Sequence, residues 1–128
     1  VIASVLASQE LGLSGVILKS GLYDLVGAYE RLPWYNLIKL NMIWELGWNK
    51  TSELRERSAW FVADKIKVPL LIIHGEGDDR ASVEQAEAFG KLVVTAGGKV
   101  EFVRLNSGHV IPMEKVRSLM EEFIRNLF

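Results

Sequence analysis

The 128-residue chain has no cysteine, only two histidines and only three prolines. The missing cysteine excludes disulfides, thiolate metal sites and a cysteine nucleophile, and leaves the redox compartment open. Two histidines offer little to a metal ion, and no metal site or cofactor is expected. Charge of one sign is missing too. Fifteen lysines and arginines face sixteen aspartates and glutamates, mixed along the chain, for a net charge of −1. No basic stripe marks a nucleic-acid or anionic-membrane surface, so neither is an expected partner. No apolar run approaches the roughly 20 residues that span a bilayer, and no charged n-region opens a signal peptide. Location stays open, with a lean toward the cytoplasm. Internal repeats and low-complexity segments are also lacking.

What is present suits one soluble domain: 49% hydrophobic and 24% charged residues over a length typical of a single core. The chain opens on Val1, and "VIASVLASQELG" reads as a helix already under way, with Ile2, Val5 and Leu6 on one face and Gly12 as its C-cap. The amino end is therefore expected to belong to something longer. Three strands follow, separated by helices. Val16, Ile17 and Leu18 lie between Gly15 and Gly21; "VPLLIIHG" is a continuous apolar run opened by Pro69; "KVEFVRLNSG" alternates. Ser82 with Gln85 predicts a capped helix start with a capping box, and Gly97-Gly98 its stop. Pro112 opens a last helix with Met113, Val116, Leu119, Met120, Phe123, Ile124 and Leu127 on one stripe. This alternation predicts an α/β fold, parallel strands covered by helices, with ligands at the carboxyl ends of the strands.

Residues 24–66 break the rhythm. They hold all four tryptophans, Trp34, Trp44, Trp48 and Trp60, and are too long for a simple strand-to-helix link. They predict a helical, aromatic-rich insertion whose rings fill the contact with the sheet, or cap a site at the strand ends.

Two strand ends carry chemistry-bearing residues. The buried strand ending at His74-Gly75 runs into Glu-Gly-Asp-Asp-Arg, which delivers Asp78 to the carboxyl rim, and the next strand ends in "NSGHVIP", which delivers His109. Singly, an aspartate or a histidine after glycine is an ordinary turn residue. Together, at matching strand ends and in that order, they suit the acid and base of a nucleophile-base-acid set. His74 is expected to pack or to hydrogen-bond the turn, and "ELRERS" to be a solvated face.

These stretches resemble a known family. "VPLLIIHGEGDDR" followed by "VEQAEAF", then "GGKVEFVRLNSGH" and a closing amphipathic helix, are similar to the carboxyl-terminal part of the α/β-hydrolase superfamily. With "ERSAWFVADKIKVPLLIIHG", the chain looks most like serine peptidases of the prolyl-oligopeptidase type. The resemblance implies Asp78 as the triad acid and His109 as its general base, with Arg80 near the substrate-binding side and Asp79 a turn residue. Ala81-Ser82 and Ser58-Ala59 depart from the family's Val-Pro and Ser-Pro.

The larger departure is that Gly-x-Ser-x-Gly, the nucleophile elbow, occurs nowhere in the 128 residues. The family places it just before a helix and strand like "VIASVLASQELGLSGVILKSGLYD", so the nucleophile is expected upstream of residue 1. Ser4, Ser8, Ser14 and Ser20 lack that turn and are not expected to replace it. The chain by itself is then expected to be inactive. Its first strand, cut from the one that would carry the serine, is expected to offer an open edge for self-association. The resulting reading is the carboxyl-terminal portion of a serine hydrolase acting on a peptide or ester. The alternatives are an esterase- or lipase-like fragment and a non-catalytic α/β binding module.

Overall fold

The computed structural model describes residues 2–9, 11–31, 33, 37, 39, 40, 44 and 51–128. Among them the chain order is helix α1 (Ile2–Leu6), strand β1 (Val16–Lys19), helices α2 (Leu25–Arg31) and α3 (Thr51–Arg57), a 3₁₀ helix (Ala59–Lys65), strand β2 (Leu70–Gly75), helix α4 (Val83–Thr95), strand β3 (Val100–Leu105) and helix α5 (Met113–Leu127). The three strands form one parallel sheet in the order β1-β2-β3. Every residue of β2 is buried, as its continuous apolar run requires of a central strand covered on both faces. No helix among the described residues is long and apolar enough to cross a membrane.

Alternation along β2 divides the core. Leu70 and Ile72 join Ala7, Leu18, Ala63, Ile66, Ala86, Phe89 and Val93 under α1, the 3₁₀ helix and α4. Leu71 and Ile73 face the other way, onto Val116 and Phe123 of α5 and onto Ile111. The α5 stripe is narrower than its periodicity predicts: Val116, Leu119, Met120, Phe123 and Leu127 meet the sheet, whereas Met113 and Ile124, at its margins, are exposed. Leu25 and Leu54 form a third, small cluster that joins α2 to α3.

Three local expectations are corrected. Gly12 does have φ of +68°, but α1 ends at Leu6, so Gly12 turns the connection into β1 and caps nothing. Ser82 does cap α4, its hydroxyl accepting from the Gln85 amide at 3.3 Å. The Gln85 side chain, however, does not close a capping box. It donates to the Gly21 carbonyl at 2.8 Å and accepts from the Tyr23 amide at 2.9 Å, tying α4 to the segment that leaves β1. Tyr23 is then buried flat against Phe89, ring centroids 4.4 Å apart. The tertiary contact outbids the local one because both backbone groups of that segment need partners in the interior. Among the tryptophans, Trp60 packs against the core while Trp44 is 88% exposed, so it does not fill a contact with the sheet. Trp34 and Trp48 lie outside the described residues, as does part of the predicted insertion; its described elements are helical.

Candidate active site

The parallel register sets β2 and β3 side by side, so the turns that leave them open on the same rim. Those turns interlock through the backbone. The Glu76 amide donates to the Leu105 carbonyl at 2.9 Å, and the Gly77 amide to the Ser107 carbonyl at 3.0 Å. Gly75 allows the approach: a Cβ there would lie 2.4 Å from the carbonyl oxygens of both Ser107 and Gly108. This close passage of backbone over backbone is a use of glycine that no other residue can serve.

On that frame Asp78 and His109 meet. His109 Nδ1 lies 3.0 Å from Asp78 Oδ2 and 3.2 Å from Oδ1. The aspartate side chain is fully buried, whereas the imidazole keeps 31% of its surface exposed. Asp78 Oδ1 also accepts the amides of Arg80 and Ala81, each at 2.9 Å. Burial acts most strongly on this carboxyl and by itself would raise its pKa. The Ala81 and Arg80 amides and the His109 ring together outweigh it and hold the pKa below the ordinary value. The acid is therefore ionised at neutral pH. An ionised carboxylate facing Nδ1 places the ring proton there and leaves Nε2 as the basic atom.

His74 lies beneath this pair, fully buried. Its Nε2 is 2.6 Å from the Ala81 carbonyl oxygen and 3.2 Å from Asp78 Oδ2. Both neighbours are acceptors, so Nε2 carries the proton and is one more donor aimed at the acid. Its Nδ1 is buried without a hydrogen-bond partner among the described residues. The sequence suggests packing or a turn hydrogen bond for His74; contact with Asp78 is a further role, signalled only by the four-residue spacing across the turn. Arg80 contributes its amide to the acid while its side chain is exposed, and Asp79 is exposed as a turn residue. No group of three or more metal-ligating side chains is assembled among the described residues.

Chemically, a buried, ionised carboxylate against a partly exposed imidazole fixes the ring's tautomer and leaves its other nitrogen able to accept a proton. Similarity to known proteins runs in the same direction. Residues 3–126 match the prolyl oligopeptidase family. Over 75 residues the chain is 35% identical to the "Uncharacterized peptidase YuxL" of Bacillus subtilis (strain 168), covering 54% of this chain and 11% of that protein. Its fold is similar to that of the acylaminoacyl peptidase of Pyrococcus horikoshii, with a TM-score of 0.76 at 22% identity, covering 98% of this chain and 22% of that one. It is also similar to an esterase of Pyrococcus furiosus, with a TM-score of 0.65 at 19% identity, covering 98% of this chain and 48% of that one. The chain thus spans less than half the length of each of these three proteins.

Proposed function

The chain belongs to the prolyl oligopeptidase family, and from that premise we propose that it furnishes the general base, His109, and the acid, Asp78, of a serine hydrolase triad. The observation that carries the reading is the 3.0 Å contact between His109 Nδ1 and a buried Asp78 carboxylate. The nucleophilic serine and its oxyanion donors come from sequence outside these 128 residues, since no nucleophile elbow occurs within them.

In this mechanism His109 Nε2 takes the proton of the serine hydroxyl as its oxygen bonds to the carbonyl carbon of a peptide or ester. The imidazolium, stabilised by Asp78, then gives that proton to the leaving amine or alcohol as the bond to the carbonyl carbon breaks. Water attacks the acyl-enzyme by the same route, its proton passing through Nε2 to the departing serine oxygen. Asp78 stays ionised throughout, and His74 adds a third kind of donor to hold its carboxylate in place. The exposed Arg80 side chain, beside the acid, suits an anionic or carbonyl group of the substrate. Peptide is the favoured substrate class because the family and the 35%-identical relative are peptidases; an ester is the second reading, from the esterase among the fold neighbours.

The test uses the intact gene product and a fluorophosphonate probe, which reports an activated serine whatever the substrate. The wild-type protein should label at one serine within Gly-x-Ser-x-Gly upstream of Val1. Asp78→Asn turns an amide toward the ring, favours the wrong tautomer and should slow turnover by about 10⁴-fold; His109→Ala should do at least as much. Undiminished labelling in either variant would overturn the assignment.

A further inference from the structure

Ser20 is, among the described residues, the non-glycine residue with positive φ, 52°. The left-handed region is costly for a side chain with a Cβ, and glycine would occupy it freely. Gly21 follows immediately, so the chain holds a serine in the strained position and a glycine beside it. A strained residue at the rim of a site asks what holds it there.

Its contacts supply the answer. Ser20 follows β1, and its amide donates to the Ile73 carbonyl at 3.0 Å, carrying the β1–β2 ladder one step beyond the strand. Its hydroxyl donates to the main-chain carbonyl of His109 at 2.9 Å, joining residues 89 apart in the sequence. The segment after it is fixed as well, because Gln85 holds the Gly21 carbonyl and the Tyr23 amide. His109 is therefore gripped twice: the ring by Asp78 at Nδ1, and the main chain by Ser20. With both ends held, the position of Nε2 is determined.

We infer that Ser20 is a positioning residue for His109, its hydroxyl fixing the main chain of the base so that Nε2 meets the nucleophile in register. The inference rests on the triad reading above. A donor that only completed the hydrogen bonding of a turn would affect folding. A positioning donor affects rate, because a displacement of about 1 Å in a reacting group can cost up to about 10²-fold.

Two substitutions in the intact gene product separate these roles. Ser20→Ala removes the hydroxyl and keeps the strained backbone; Ser20→Gly removes the hydroxyl and relieves the strain. The expected result is that both variants take up the fluorophosphonate about 10-fold or more slowly than wild type, by the same factor. Ser20→Gly should melt at a higher temperature than Ser20→Ala. The pH midpoint of labelling should stay at its wild-type value, since Ser20 touches the main chain and not the ring. Labelling of both variants at the wild-type rate would overturn the inference. So would labelling that follows stability, with Ser20→Gly fast and Ser20→Ala slow, because the backbone turn would then be what matters. A shifted pH midpoint would overturn it too, by showing an effect on the ionisation of the ring. If His109→Ala labels normally, or wild type takes no label, the triad reading fails and this inference with it; if only the Ser20 variants label normally, the triad stands without it.

Discussion

The stretch from β2 to α5 and the stretch from α2 to the 3₁₀ helix are built in different ways. In the first, one strand is buried on both faces, two helices of 13 and 15 residues cover it, and backbone hydrogen bonds interlock the turns at the rim. In the second, α2 and α3 have seven residues each and meet each other through Leu25 and Leu54. The connection between the two stretches is specific: Ser58 Oγ donates to the Tyr23 carbonyl at 2.6 Å, and Tyr23 lies on Phe89. The difference teaches where precision is needed. Asp78 and His109 sit on the interlocked part, while α2 and α3 share a small cluster of their own and only the 3₁₀ helix of that stretch enters the larger core.

The comparison can be broken by mutation. Phe89→Ala empties the centre of the larger core and should cost about 3–5 kcal/mol in urea unfolding. Leu54→Ala removes a side chain just as buried, at 3% exposure, but from the small cluster. It should cost about 2 kcal/mol, the low end for such a change, and hydrogen exchange should quicken in α2 and α3 while β2 and α4 keep their protection. Equal losses from the two substitutions, or exchange rising throughout, would mean that the two stretches unfold as one.

A smaller effect, confined to acid, sharpens the comparison at the rim. The Asp78 pKa is lower in the folded protein than its ordinary value. The ionised form therefore stabilises the fold above the unfolded-state pKa of about 3.9, and that stabilisation is lost as the pH falls through the folded value. Urea midpoints of the wild-type protein should drop below about pH 4. Asp78→Asn should be less stable at neutral pH and show a shallower drop, so that the two curves converge in acid; parallel curves would contradict the linkage. The smallest effect belongs to Trp44, whose ring is exposed. Trp44→Ala should change stability by no more than about 0.5 kcal/mol. A larger loss would show that this side chain is buried by something in solution.

How far the sequence revealed this molecule follows the same division. β2 is legible because a run of four aliphatic residues between proline and His-Gly has few other uses, and α4 because serine and glycine punctuate both ends. The pairing of Asp78 with His109 could be anticipated because parallel neighbours place their exits on one edge. The remainder depends on contacts that spacing does not encode. Gln85 stands where a capping box would use it, yet serves Gly21 and Tyr23. His74 meets Asp78 only because the intervening turn folds back. Nothing in the spacing marks Ser20, whose partner, the His109 carbonyl, is 89 residues away. Trp44 looked like core and is not, since an aromatic side chain states a preference for burial but not what will bury it.

In the terms of heredity, Gly75 has no neutral neighbour. Every other amino acid carries a Cβ, and at this position the Cβ would press on two carbonyl oxygens in the turn that holds His109. Any missense codon here would push apart the strand exits that bring Asp78 and His109 together. Of the twenty side chains a codon can specify, only a hydrogen atom fits at the end of β2.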